Sequence, residues 1–165
     1  MKSNVRYLKV LACGLLLLTT FLAHAASAAP REGWVVIETT MAYRALVKRL
    51  NGAVKAEKMR VVTRASASSG AKNRKLVIPG NMIVGVYRND YALRMLDASI
   101  DAGIEAPIRF YITENADGGT TLSYKTPTYV FAPYMVDGKL QLRELAEELD
   151  QVFAAIATRT TDPGK

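Results

Sequence analysis

The sequence predicts an α+β domain in which helices cover one antiparallel-type sheet. Two observations on residues 34–158 predict this class. Short runs rich in β-branched and aromatic residues alternate polar with apolar side chains, as strands with one buried face do. Between and after these runs, apolar residues recur every three or four positions, as in amphipathic helices. The predicted order is β-α-β-β-α-β-β-α, with three helices available to cover one face of the sheet.

The amino terminus has the organisation of a secretory signal peptide. Positions 2–9 hold three cations and no acidic residue, and residues 10–23 form an uncharged, largely apolar run. Small residues follow in the A-x-A order that signal peptidases cleave. We expect cleavage after Ala28, with Ala25 or Ala29 as alternative sites.

Two other uses of this segment are less consistent with its residues. A membrane-spanning helix needs about 20 apolar residues, more than this run contains. A lipoprotein would be modified at Cys13, but the apolar core follows this cysteine instead of preceding it. The sequence therefore predicts a periplasmic or secreted domain, residues 29–165, without a membrane span after cleavage.

Cleavage would remove the only cysteine, Cys13, and the only histidine, His24. The mature chain would then form no disulfide, no Ser–His or Cys–His nucleophile and no His-containing metal centre. We therefore predict neither a cofactor nor a metal. Loss of three cations also lowers the formal net charge from +7 to +4. This mild charge, together with export, argues against nucleic acid as a partner.

The first half of the mature domain begins with a predicted strand at 34–39. Thr39 or Thr40 would cap a helix from about residue 41. Its apolar stripe consists of Tyr43, Leu46, Val47, Leu50 and Val54. A strand at 59–65 follows, and then a polar, Ser-rich loop at 66–75 that we expect to be mobile.

Two strand-like segments, 76–78 and 82–87, flank Pro79-Gly80-Asn81, where we expect a bulge, bend or turn. Asn89 or Asp90 would cap the next helix. The inner face of that helix is predicted to carry Leu93, Leu96 and Ile100. Gly103 would end it, and Pro107 would prevent its continuation.

A β-hairpin is predicted from two alternating strands, 108–114 and 120–125, joined by a turn that contains Gly118. Ile108, Phe110, Ile112, Leu122 and Tyr124 would face the core. The opposite face would carry Arg109, Tyr111, Thr113, Thr121, Ser123 and Lys125. An irregular segment and a helix at about 141–158 complete the domain.

Short motifs between residues 80 and 127 resemble the domain-of-unknown-function family 302. They are Gly80-Asn81, Ala106-Pro107-Ile108-Arg109, the turn ending at Gly118, and Ser123-Tyr124-Lys125-Thr126-Pro127. Met82 stands where the family has the proline of "GNP", and Ala106 where it has leucine. The similarity covers roughly residues 34–128. It implies an antiparallel sheet with packed helices, somewhat like TATA-binding-protein-like domains. It implies no catalytic residues.

The polar face of the hairpin is the candidate binding surface. If helices cover only the other face of the sheet, the side chains of Arg109, Tyr111, Thr113, Ser123 and Lys125 are accessible, and Arg and Tyr are frequent contact residues. We therefore expect a binding or protein-interaction module. Its partner would be an envelope protein, another copy of the chain, or a small apolar or anionic ligand. A merely solvated sheet face is the simpler alternative.

The alternative function is a small enzyme without a cofactor. Its acid, base or oxyanion-stabilising groups would come from Tyr111, Tyr124, Lys75, Lys125 and Glu114. A concave pocket that brings at least two of them within hydrogen-bonding reach would favour it.

Overall fold

The computed structural model describes residues 31–136 and 140–162. The predicted signal peptide, residues 1–28, lies outside this range, and so does Cys13. Within the two described ranges, no helix is both long and apolar enough to cross a membrane.

The described chain folds into one five-stranded antiparallel sheet and helices packed on it, which confirms the predicted α+β class. The strands are β1 (Trp34–Thr39), β2 (Arg60–Ala65), β3 (Asn81–Tyr87), β4 (Ile108–Glu114) and β5 (Thr120–Lys125). The helices are α1 (Tyr43–Ala56), α2 (Ala67–Asn73), α3 (Asn89–Ala98), α4 (Pro127–Phe131) and α5 (Leu140–Thr161). Two 3₁₀ segments, Asp101–Glu105 and Ala132–Tyr134, complete the set. The strand order across the sheet is β1-β5-β4-β3-β2.

The core lies between one face of the sheet and helices α1 and α5. Phe110 of β4 is fully buried, and its ring stacks on that of Phe153 of α5 at a centroid distance of 4.8 Å. Tyr124 of β5 lies opposite Phe110 in the register and packs against both rings. The predicted inward residues of the hairpin are therefore all buried, because a strict period of two fixes which face each side chain occupies.

The segment predicted as a mobile loop instead contains α2. Ser66 caps this helix, because its side chain accepts a hydrogen bond from the amide of Ser69 at 3.1 Å. Lys75 then adopts a positive φ of 58°, and the amide of Leu76 donates to the carbonyl of Ala71. This is a Schellman-type helix end. The predicted strand at 76–78 is absent, and β3 begins at Asn81.

The buried face of α3 is not the one predicted. Leu93 is 61% exposed and Ile100 79% exposed, and Leu96 is exposed as well. The buried residues of α3 are Ala92, Met95 and Ala98. The segment carries two apolar rows, and the row with smaller side chains faces the core. A helix with small side chains on one face can pack closely against its neighbours through that face. The presence of larger leucines on the other face therefore did not identify the buried face.

Three helix starts also differ from the predictions. Neither Thr39 nor Thr40 caps α1, whose N-cap position is Ala42. The hydroxyl of Thr39 instead donates to the carbonyl of Thr120 at 3.0 Å, which ties β1 to β5. Helix α3 begins at Asn89 with Arg88 in the cap position. The irregular segment after β5 contains α4, which Thr126 caps through a hydrogen bond from the amide of Tyr129.

Candidate ligand-binding groove

The second face of the sheet carries the predicted binding residues in neighbouring rows. Register places Tyr111 opposite Ser123 on one side and Ile83 on the other. Arg109, two residues before Tyr111 on β4, lies opposite Gly85. Lys125, two residues after Ser123 on β5, lies opposite Trp34. Because side chains two residues apart on a strand share a face, all of these positions belong to one surface.

A groove with a volume of about 490 Å³ lies on this surface. It continues past the start of β4 to Glu105 and past the end of β5 to Val130. Its lining combines apolar walls with a few polar groups. The lining residues are Trp34, Ala65, Ser66, Ala67, Asn81, Ile83, Glu105, Ile108, Arg109, Tyr111, Ser123, Tyr124, Lys125 and Val130. A mostly apolar concavity of this size with few polar groups is typical of small-molecule sites.

One end of the groove is cationic. The ammonium group of Lys125 lies 5.6 Å from the centroid of the Trp34 ring and 5.8 Å from that of Tyr129. The guanidinium of Arg31 lies 5.3 Å from the same Trp34 ring. Arg109 is exposed and has no hydrogen-bond or ion-pair partner among residues 31–136 and 140–162. Arg109 and Lys125 therefore line the groove without a carboxylate paired to them in the part of the chain described.

The middle of the groove offers two hydroxyl groups. Tyr111 is 39% exposed and Ser123 is buried at 7% exposure. Neither side chain makes a hydrogen bond to another described residue, so both keep donor and acceptor capacity for a ligand or water. Ile83 and Val36 extend this row as exposed apolar side chains.

One predicted binding residue, Thr113, does not line the groove. Thr113 and Thr121 lie opposite each other on the same sheet face, one row further from Arg109. The Thr121 hydroxyl donates to Asn115 in the hairpin turn at 2.9 Å. The structure thus brings Arg109, Tyr111, Ser123 and Lys125 together and leaves Thr113 and Thr121 outside the groove lining.

Several groove residues were not predicted as site residues. Trp34 is the first residue of β1, and it reaches the groove because β1 pairs with β5. Ser66 and Ala67 reach it from the start of α2, which was predicted as a loop. Glu105 also lines the groove, four residues before Arg109 in the sequence, and accepts a hydrogen bond from the hydroxyl of Tyr134 at 3.0 Å. That bond raises the pKa of Tyr134 above its usual value.

The first pair of family-motif residues, Gly80 and Asn81, lies beside α2, and Asn81 is part of the groove lining. A Cβ atom on Gly80 would lie 2.7 Å from the ring of Tyr43, so glycine permits this packing. Asn81 accepts hydrogen bonds through its side-chain oxygen from the amides of Ala67 and Ser68. This amide side chain therefore holds the start of α2 beside β3. Burial raises the pKa of Tyr43 by more than the neighbouring hydroxyl groups of Ser66 and Ser68 lower it.

The remaining motif residues also have structural roles. Pro107 packs against Gly85, and Gly118 adopts a φ of 84° in the hairpin turn. Tyr124 belongs to the aromatic core, where burial raises the pKa of its hydroxyl. Pro127 occupies the first turn of α4, where its missing N–H costs no hydrogen bond.

Three of the five residues of the alternative enzyme hypothesis, Tyr111, Tyr124 and Lys125, line the groove, and the other two do not. Lys75 lies in the segment after α2, and Glu114 accepts a hydrogen bond from the amide of Gly80 at 2.7 Å. Tyr124 reaches the end of the groove, but its ring packs on the covered face of the sheet. Tyr111 and Lys125 line the groove without a hydrogen bond between them. In the described ranges, no three His, Cys, Asp or Glu side chains cluster as metal ligands do.

The fold and the groove define an α+β protein with one five-stranded antiparallel sheet that has a covered face and an accessible face. The family model described as "Domain of unknown function DUF302" matches residues 35–156, and the chain belongs to this family. The match extends beyond residue 128 into α5, further than the sequence motifs indicated.

A solved structure supports the same fold. The crystal structure of the uncharacterized conserved protein DUF302 from Bacillus stearothermophilus is 18% identical and superposes with a TM-score of 0.69. The superposition covers 79% of this chain and 99% of that chain. No curated protein matches the sequence.

Proposed function

We propose that this chain is an exported, non-catalytic binding protein whose groove takes a small amphipathic anion, such as an organic carboxylate with an apolar body. The observation that carries the proposal is the groove itself. It combines a cationic end, two uncommitted hydroxyl groups and apolar walls in one concavity on the accessible sheet face.

The apolar part of the ligand would lie along the row formed by Ile83 and Tyr111. Both side chains are 39% exposed, so a ligand that covers them removes apolar surface from water. A volume of about 490 Å³ accommodates a molecule of small-metabolite to drug size. Apolar contacts would thus supply affinity, and the polar groups would fix orientation.

The anionic group would lie between Arg109 and Lys125. Arg109 offers a planar set of donors suited to a carboxylate, and Lys125 adds a point charge. Because neither cation is in an ion pair within the described chain, binding would not require an existing pair to break. The hydroxyl groups of Tyr111 and Ser123 would supply further hydrogen bonds.

Export is the second part of the proposal. It is supported by the cations at positions 2–9, the apolar run at 10–23 and the small residues that end at Ala28. Amino-terminal sequencing of the protein isolated from cells tests it. A chain that begins near Ala29 is expected, and a chain isolated with Met1 intact contradicts export by cleavage.

The fluorescence of Trp34 tests the groove directly, because it is the only tryptophan and lines the cationic end. Titration with octanoate should change its emission saturably, while octanol, which lacks the charge, should bind more weakly. Replacing both cations, Arg109→Gln with Lys125→Gln, should weaken octanoate binding by about tenfold or more, since a hydrogen bond to a charged group contributes about 1.5–3 kcal/mol.

A matched control uses the same sheet face. Thr113→Val with Thr121→Val changes two neighbouring positions that do not line the groove, so octanoate affinity should stay within about twofold of the unaltered protein. Equal loss of affinity in both double variants, or unchanged affinity in the cation variant, contradicts the proposed site.

A further inference from the structure

We infer that residues 72–79 form a membrane-contact loop that binds the surface of an anionic phospholipid bilayer. This inference goes beyond the proposed ligand groove and does not depend on it. It rests on the exposure, charge and anchoring of one short segment.

The segment displays three consecutive apolar side chains to solvent. Val77 is 96% exposed, and Leu76 and Ile78 are 57% and 42% exposed. Soluble surfaces commonly expose single apolar residues, but a contiguous exposed group indicates a contact surface. Because these residues belong to no helix or strand, sheet pairing does not explain their apolar character.

Cations flank the apolar residues on the amino-terminal side. Lys72, Arg74 and Lys75 are all exposed, and none forms an ion pair with another residue of the described ranges. Positions 72–79 contain no acidic residue. Basic side chains beside an exposed apolar group match a bilayer with anionic headgroups above an apolar interior.

The loop is anchored at both ends, so it presents these side chains in a defined position. The amide of Leu76 donates to the carbonyl of Ala71 at 3.0 Å, which fixes the loop to α2. At the other end, Gly80 exchanges two hydrogen bonds with Glu114, one to the carboxylate at 2.7 Å and one from the Glu114 amide at 2.8 Å. Preorganisation of this kind lowers the entropy lost on binding.

Charge favours a bilayer at this loop and not at the other exposed apolar region. Leu93, Leu96, Ile100 and Ile104 are also exposed. However, Asp97 and Asp101 lie between them in sequence, and an anionic surface repels such side chains. Arg94, which lies between Leu93 and Leu96, is paired with Glu148, so the α3 region provides a matched control for apolar exposure without an unpaired basic flank.

The test places an environment-sensitive fluorophore at position 77 through Val77→Cys, in the full chain carrying Cys13→Ser so that only one label attaches. Vesicles of phosphatidylcholine with about 30% phosphatidylglycerol should increase and blue-shift its emission, and pure phosphatidylcholine should not. The same label introduced by Ile100→Cys should not respond. The fluorophore reports only the surroundings of its own position. Binding of the protein to vesicles through its amino-terminal residues alone would therefore not produce a difference between labels at positions 77 and 100.

Charge-neutral variants test the basic flank. Lys72→Gln, Arg74→Gln and Lys75→Gln together should raise the lipid concentration for half-maximal response by about tenfold or more. The control triple variant, Arg44→Gln, Lys48→Gln and Lys55→Gln, removes three exposed cations from α1 and should leave that concentration nearly unchanged. Far-UV circular dichroism confirms that both triple variants fold.

Any one of four results overturns the inference. Three of them are an unresponsive label at position 77, an equal response at position 100, and equal effects of the two triple variants. A label at position 77 that responds to polyglutamate but not to anionic vesicles also overturns it, because the partner would then be an acidic protein.

Discussion

Replacement of Phe110 by alanine tests the central claim about which face of the sheet is covered. Phe110 is fully buried, stacks on Phe153 at 4.8 Å and contacts the Tyr124 ring at 5.1 Å. Removal of a buried phenylalanine costs about 3–5 kcal/mol. Since each aromatic pair contributes about 0.5–1.5 kcal/mol beyond its buried area, we expect a loss of at least about 4 kcal/mol in the free energy of unfolding.

The matched control is Tyr111→Ala, on the same strand but the opposite face. Tyr111 is 39% exposed, so its replacement should cost about 1 kcal/mol or less. Urea unfolding followed by far-UV circular dichroism measures both variants, and an unchanged dependence on urea concentration validates the comparison. A cost for Tyr111→Ala as large as that for Phe110→Ala would refute the assignment of the covered and accessible faces.

Two further predictions concern glycines and pH. Gly52→Ala in α1 should stabilise the protein by about 0.5–1 kcal/mol, because nothing lies within 4 Å of the added Cβ. Gly80→Ala should destabilise it by about 1–3 kcal/mol through collision with the Tyr43 ring, and thermal unfolding compares the two. A destabilised Gly52→Ala variant or a stabilised Gly80→Ala variant would show that helix propensity or packing at that position is wrongly assigned. The hydrogen bond from Arg94 lowers the pKa of Glu148, so this pair stabilises the fold above the ordinary carboxyl pKa and ceases to do so as pH falls through the lowered value. Glu148→Gln should reduce the loss of stability in acid by about 0.5 kcal/mol or less, since both side chains are half exposed, and urea titrations across the acidic range measure it. An acid dependence identical in the two proteins would exclude a contribution from this pair.

The hairpin was predicted correctly because its evidence is local. A period of two assigns every side chain of β4 and β5 to a face, and Gly118 marks the turn between them. The side chains of Arg109, Tyr111, Ser123 and Lys125 could therefore be assigned to one surface from sequence alone. Their role in binding remains a proposal.

Other features depend on contacts between distant residues. Helix α2 is rich in Ser and contains Gly70, but the side chain of Asn81 accepts hydrogen bonds from its first amides. The groove acquires Trp34 only because β1 pairs with β5. The predicted buried face of α3 was wrong because both of its apolar rows have a helical period, and only packing against the core selects between them.

The pairing of the first strand with the last also constrains how a nascent chain acquires this fold. Residues 34–39 leave the ribosome long before residues 120–125, yet these two strands hydrogen-bond to each other in the folded sheet. Until synthesis has passed residue 125, the backbone donors and acceptors of β1 have no native sheet partner. The domain therefore becomes complete only after translation of the hairpin, and a chain released before that point exposes an unpaired strand to aggregation.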